Sequence, residues 1–161
     1  MQSLKGEIIN NVKLGDGLFK MEIFSPYLVK HGFPGQFINI KCSPPEVLDP
    51  LLRRPFSIYD IEEGFNVASI LYLVRGKGTR YLSKLQKGNE IDYCGPLGNP
   101  LNTSGEKKVL LVGGGIGVAP LYFVAKQLSG RGREVSFMCG FKESNFRLWE
   151  KELMRLGINY Q

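Results

Sequence analysis

The stretch Arg53-Arg54-Pro55-Phe56-Ser57-Ile58 decides how this chain is read. Two guanidinium groups precede a proline, an aromatic ring and a hydroxyl, inside an otherwise apolar, extended run. Proline fixes its own φ and holds its predecessor, Arg54, extended. Side chains alternate along a strand, so Arg54 and Phe56 point one way and Pro55 and Ser57 the other, unless a bulge intervenes. A guanidinium is a planar fork that donates two parallel hydrogen bonds to a phosphate. Such a strand suits a cofactor with a charged middle and a flat aromatic end: arginine on phosphate, hydroxyl on a ring edge. An edge strand carrying a surface arginine pair accounts for these six residues equally well.

The flanking sequence is β in character. Residues 4–14 hold a short alternation that ends at the turn Gly15-Asp16-Gly17, and Leu18 to Phe24 forms the returning strand. Phe33-Pro34-Gly35 is another turn, Gln36 to Cys42 alternates again, and residues 44–50 form a proline-rich loop. Beyond the arginine strand, Glu62-Glu63-Gly64 reads as a hairpin turn and residues 66–75 as a long strand. Short strands at this spacing predict a sandwich or a barrel. Gly76-Lys77-Gly78-Thr79 then opens a short helix, with Thr79 as its N-cap and Leu82 and Leu85 on its apolar side. Either a phosphate contact or an ordinary strand-to-helix connection fits there. Ile91 to Cys94 returns as a strand, and Gly95-Pro96-Leu97-Gly98-Asn99-Pro100 reads as a rigid loop.

The polar stretch 102–106 marks a boundary, after which the periodicity changes. Lys107 to Val112 is a short apolar strand, and Gly113-Gly114-Gly115-Ile116-Gly117 follows at once. Leu121, Val124, Ala125 and Leu128 share one helical face, with Pro120 tolerated in the first turn. Glu134 to Cys139 is a second strand. Phe146, Trp149, Leu153 and Leu156 line a second helix, and residues 157–161 look like the start of a third strand. This is a βαβα unit of doubly wound type. Strand, glycine cluster and helix in that order are the signature of a dinucleotide phosphate site, although the glycines lack the strict G-x-G-x-x-G spacing and a tight, closely packed strand-to-helix turn is the alternative.

Composition narrows the function. With 161 residues the chain holds one full domain or two small ones. The net charge of +6 comes from scattered lysines and arginines with no dense block, so nucleic acid is not favoured and anionic small molecules or an acidic protein fit at least as well. No run is long enough to span a membrane and no apolar leader opens the chain, which points to the cytoplasm. Cys42, Cys94 and Cys139 are far apart and read as buried thiols in a reducing compartment. His31, the single histidine, reads as a surface loop residue, and Ser57 has no evident general base, so a hydrolase is not expected.

The ordered set RRPFSI, GKGTRYLSKL, YCGPLGNP and LLVGGGIGVAPL resembles the ferredoxin-NADP reductase superfamily. Within it, the motifs are most similar to the electron-transfer subunit of the two-subunit, NAD-linked dihydroorotate dehydrogenase. A related small subunit, that of NADH-dependent ferredoxin-NADP reductases and sulfide dehydrogenases, usually carries a Pro-Leu-Thr-type segment at the Arg54 to Ser57 position. The resemblance implies an FAD-binding antiparallel β-barrel over 1–102 and the N-terminal, incomplete part of an NAD-binding α/β domain over 103–161. It implies that Arg54 binds the FAD pyrophosphate and Ser57 hydrogen-bonds near the reactive edge of the isoalloxazine, with Pro55 and Phe56 shaping the pocket. Leu71, Tyr72 and Leu73 would line the flavin and its adenosine side, and Gly78 and Thr79 would close the pyrophosphate cradle. Gly113, Gly114, Gly115 and Gly117 would meet the nicotinamide dinucleotide. In the family, electrons pass from dihydroorotate through FMN on a partner catalytic subunit, a [2Fe–2S] cluster and this FAD to NAD, in pyrimidine biosynthesis. The four clustered cysteines that hold the [2Fe–2S] centre are absent from these residues. A flavin-binding module without independent turnover is therefore the other reading.

Overall fold

Alternating apolar and polar residues between Leu4 and Leu97 make six strands: β1 (Leu4–Lys13), β2 (Leu18–Phe24), β3 (Phe37–Ile40), β4 (Arg54–Glu62), β5 (Val67–Leu73) and β6 (Glu90–Leu97). The computed structural model describes residues 3–102, 104–105, 107–140 and 152–160. The strands close into an antiparallel barrel in the order β1-β2-β5-β4-β3-β6. Its interior is the inward face of each strand, with Ile8, Met21, Ile23, Ile38, Ile40 and Tyr93 fully buried. Full closure removes the unpaired edges that an open sheet would present.

Several local expectations are corrected. Pro26–His31 is a helix, α1, where only a strand end was expected: Ser25 caps it by accepting from Leu28 N at 3.2 Å, and Pro26 sits where no N–H is needed. His31 ends this helix rather than lying in a loop, and its ring lies 4.5 Å from that of Tyr27. The hairpin turn expected after β4 is present, made by a 3₁₀ turn, Glu63–Phe65, and closed by Asn66 at φ 55°, with Glu62 opposite Val67. Thr79 is not an N-cap. Helix α2 (Lys77–Leu82) starts from Gly76, and the Thr79 hydroxyl reaches back to accept from Arg75 N at 2.9 Å and Gly76 N at 3.2 Å. Leu85 lies beyond α2, yet both Leu82 and Leu85 pack against the barrel core as expected. Gly95-Pro96-Leu97 belongs to β6, because a register shift against β3 takes the proline out of the ladder. Cys42 lies just past β3 rather than on it.

The second unit starts with β7 (Lys108–Gly114), so Gly113 and Gly114 end a strand instead of forming a turn. A 3₁₀ turn, Gly115–Val118, leads into α3 (Ala119–Gly130), followed by β8 (Glu134–Gly140) and β9 (Asn159–Tyr160). β7, β8 and β9 are parallel and adjacent in that order, and β9 is the third strand expected at residues 157–161. Gly113 is required by packing: a Cβ there would sit 2.9 Å from Leu121 Cδ1 and 3.1 Å from Val118 Cγ2. Leu153 is buried in the core of this unit, with Leu156 packed against it. Phe146 and Trp149 lie outside the described residues, as do Thr103 and Glu106 of the expected linker.

Helix α3 is covered on both sides. Val124, Ala125 and Leu128 share one cluster with Val135 and Phe137 of β8 and with Leu18, Tyr59 and Leu71 of the barrel. The opposite face of β7 is open, with Leu110 at 58% and Val112 at 62% exposure.

Candidate functional site

A cavity of about 800 Å³ opens where the barrel mouth meets the start of α3. That is within the usual range for a small-molecule site. β4 contributes Arg54, Pro55, Phe56 and Ser57; β5 contributes Leu71, Tyr72 and Leu73. The connection into α2 adds Arg75, Gly76, Lys77, Gly78 and Thr79. Ile116, Gly117, Ala119 and Pro120 form the opposing wall, and Asp49 and Pro50 close one side.

The order of β4 follows from its register. Phe56 pairs with Ile38 and Arg54 with Ile40, so both point along the core-facing side of β3. Phe56 therefore anchors the strand in the barrel, 7% exposed, its ring edge-on to Tyr72 at 5.9 Å. Tyr72 stacks on Phe19 at 5.6 Å and donates its hydroxyl to Asn11 Oδ1 at 2.9 Å. Burial pushes the Tyr72 phenol up to about 12, so it stays a neutral donor.

The two arginines have separate tasks. Arg53 is spent on the barrel: it donates to Asp92 O at 2.9 Å, to Asp92 Oδ1 at 2.9 Å and to Ser3 Oγ at 3.1 Å. Burial opposes the Asp92 charge, but the Ser3 hydroxyl, Arg53 and Lys41 outweigh it and hold the carboxyl below its ordinary value. Arg54 is exposed at the cavity, with Nη1 folded back onto Leu52 O at 2.8 Å and Arg53 O at 3.3 Å. Arg54, Arg75 and Lys77 give the cavity three cations against one carboxylate, Asp49, with which Lys77 forms an exposed ion pair. That balance favours a dianionic ligand such as a diphosphate.

The glycines of the cavity differ in purpose. A Cβ on Gly78 would meet Cys42 Cβ at 2.8 Å, so glycine there lets α2 seat against the barrel. Gly76 and Gly117 have no atom within 4 Å of an added Cβ; their backbone faces open space at the cavity wall, where a ligand can approach closely. Beneath Gly78, burial pushes the Cys42 thiol up to about 11, so it is un-ionised and unsuited to nucleophilic work.

The cavity thus gathers Arg54, Pro55, Phe56, Ser57, Leu71, Tyr72, Leu73, Gly78, Thr79 and Gly117, while Gly113, Gly114 and Gly115 do not line it. Sequence reasoning did not place Asp49, Pro50, Arg75, Ile116, Ala119 or Pro120 at the site, and took Gly76 and Lys77 only as parts of the turn that opens α2. Arg75 adjoins that turn and was within reach. Asp49 and Pro50 carried no signal, because only the fold brings their loop over the cavity. Among the described residues no group of three or more His, Cys, Asp or Glu could hold a metal ion. No described helix is long and apolar enough to cross a membrane.

The chain is similar to the "Dihydroorotate dehydrogenase B (NAD(+)), electron transfer subunit" of Fusobacterium nucleatum, 39% identical over 153 residues. The match covers 93% of this chain and 58% of that protein, so the chain spans under two thirds of this curated relative's length. Among solved structures it resembles an NADH-dependent reduced ferredoxin-NADP oxidoreductase, with TM-score 0.78 and 34% identity over 88% of this chain and 50% of the other. It also shares the fold of a Neisseria gonorrhoeae ferredoxin NADP⁺ reductase solved with FAD and NADP, with TM-score 0.81 and 16% identity over 99% of this chain and 67% of the other. No protein-family model matches the chain.

Proposed function

The chain is a sequence relative of dihydroorotate dehydrogenase B electron-transfer subunits and has the ferredoxin-NADP reductase fold, and from that premise we propose that it is an FAD-binding electron-transfer subunit linked to NAD. The barrel over 1–102 takes the flavin, and residues 103–161 take part of the nicotinamide dinucleotide. The observation that carries this reading is the single cavity joining the Arg54 to Ser57 strand, the glycine-threonine turn and Gly117.

The cavity fits a flavin dinucleotide on chemistry as well as size. The cations Arg54, Arg75 and Lys77 suit a pyrophosphate, and the open backbone at Gly76 lets it approach. Phe56, Leu71, Tyr72 and Leu73 offer an apolar wall to a flat ring. Arg54 holds the pyrophosphate; Gly78 and Thr79 shape the turn that closes around it. Ser57 directs its hydroxyl to the reactive edge of the isoalloxazine, with Pro55 beside it. Gly117, with Gly113, Gly114 and Gly115 behind it holding the strand-to-helix path, receives the nicotinamide side. The chemistry a bound flavin supplies here is the exchange of a hydride for single electrons. Cys42 lies just past β3, Cys94 on β6 and Cys139 on β8, and three thiols make no four-sulfur ligand set, so no [2Fe–2S] step is assigned to these residues.

The partner in this reading is an FMN-containing, dihydroorotate-oxidising catalytic subunit in the cytoplasm, and the pathway is pyrimidine biosynthesis. The 34% identity to the ferredoxin-NADP oxidoreductase structure favours a second reading, a small subunit serving ferredoxin or sulfur metabolism. Purification at natural length, flavin extraction and NADH titration test the first claim: a yellow protein releasing FAD and bleached by NADH is expected. A protein that takes up no FAD on reconstitution refutes it. Co-purification separates the partners: an FMN protein that oxidises dihydroorotate supports the first reading, a ferredoxin-reducing one the second.

A further inference from the structure

The strand that carries Ser57 and the helix that opens at the Gly117 wall meet again away from the cavity. A bulge in β4 against β5, where Ile58 pairs with Ile70 and Asp60 with Ser69, leaves Tyr59 as the extra residue. Two consecutive residues are thereby both buried: Tyr59 joins the core of the second unit, and Asp60 turns towards α3. Lys126 of α3 donates to Asp60 Oδ1 at 2.7 Å, to Asp60 Oδ2 at 2.9 Å and to Ile61 O at 3.2 Å, which occupies all three of its N–H bonds. The Asp60 side chain is 11% exposed and that of Lys126 36%. Beside this pair the rings of Tyr59 and Tyr122 stack at 4.7 Å with an interplanar angle of 20°.

We infer that the Asp60–Lys126 pair and the Tyr59–Tyr122 stack form a clamp that sets the gap between Ser57 and Gly117 across the cavity, which makes Lys126 a positioning residue for hydride transfer between nicotinamide and flavin. The inference rests on the flavin reading above. The lever arms are similar. Asp60 lies three residues past Ser57, one of them the extra residue of the bulge, so about 7 Å along the strand. Lys126 lies seven helix residues past Ala119, about 10 Å. A rotation of ~10° about a loosened clamp displaces the cavity end of α3 by about 1.8 Å over such an arm. Misplacement of that order costs roughly a hundredfold in a step that needs near-attack geometry. The barrel residues that line the cavity, on β4 and β5, belong to the closed barrel and not to α3.

The test compares Lys126→Met, Lys126→Arg and the double Asp60→Asn/Lys126→Met, which leaves no unpaired buried charge, in the protein at natural length. Lys126→Met and the double variant are expected to keep wild-type FAD content and NADH affinity while flavin reduction at saturating NADH slows 10- to 100-fold. Lys126→Arg restores most of the rate. Reduction within twofold of wild type overturns the inference, and so does FAD loss that accounts for the slower rate. Hydrogen exchange reads the clamp without flavin. Amides of residues 119–130 exchange at least tenfold faster in Lys126→Met while those of β1 and β2 do not change; equal exchange overturns the clamp. Failure of wild type to bind FAD or accept electrons from NADH is a separate result and refutes the flavin reading, leaving the exchange measurement to decide the clamp.

Discussion

Replacing Arg54 by alanine weakens FAD binding without loosening the barrel. Among the described residues the Arg54 guanidinium bonds only to the exposed carbonyls of Leu52 and Arg53, at 2.8 and 3.3 Å, and water replaces it there at little cost. Its value lies in the bound state, where a fork on a phosphate contributes about 1.5–3 kcal/mol as a charge-assisted bond. At 1.4 kcal/mol per decade, the dissociation constant rises roughly 12- to 150-fold. Arg54→Lys keeps the charge but not the fork, and its loss falls between wild type and Arg54→Ala. Quenching of FAD fluorescence on titration with apoprotein measures all three, and a thermal melt of the apoprotein serves as control. An Arg54→Ala dissociation constant within twofold of wild type, at unchanged melting temperature, refutes the placement of phosphate on β4.

Ser57→Ala keeps FAD bound, since one neutral hydrogen bond contributes about 1 kcal/mol net, but slows flavin reduction by NADH in stopped-flow traces; normal kinetics remove Ser57 from the chemistry. Gly78→Ala puts a Cβ 2.8 Å from Cys42 Cβ, so α2 must lift from the barrel; a loss of about 1–3 kcal/mol in denaturant unfolding is expected, and Cys42→Ala, which retains the offending Cβ, gives no relief. Among the described residues the buried Oε2 of Glu152 has no hydrogen-bond partner, and burial raises its carboxyl above the ordinary carboxylate value against the pull of Lys20 and Arg155. The folded state thus favours the protonated acid. Its contribution is fully present below the unfolded value and is lost as pH rises through the folded one. Glu152→Gln therefore raises the melting temperature at pH 7 and flattens its dependence on pH above 4.5; an unchanged profile would count against the burial.

The barrel strands were legible because period-two alternation and turn residues are local signals. The course of β4 after Ile58 was not: a bulge is fixed by the partner strand, and nothing in Ser57-Ile58-Tyr59-Asp60-Ile61 announces that Tyr59 and Asp60 both turn out of the barrel towards the second unit. α1 was missed although Ser25 and Pro26 are a regular helix opening, because the same pair also ends a strand. The glycine run was recognised as a close-approach site, but its parts were not separable by sequence. Gly113 answers to Leu121 and Val118, Gly115 to its φ of +53°, and Gly117 to the cavity. Arg54 was singled out for phosphate and lies on the cavity. That Arg53 is instead bound to Asp92 depends on β6, far along the chain.

The barrel closes between its first and last strands, with Leu4 opposite Tyr93 and Glu7 opposite Glu90. Bringing those ends together costs about 4 kcal/mol of chain entropy. During synthesis, β1 and β2 can pair as a hairpin soon after they emerge, but β1 keeps a bare edge until β6 has left the ribosome. The cavity floor on β4 and β5 exists by then, while the wall from Ile116 to Pro120 is still unmade. A nascent chain stalled after β6 has emerged but before Ile116 has would accordingly hold a finished barrel with half a cofactor pocket, and α3 would complete it last.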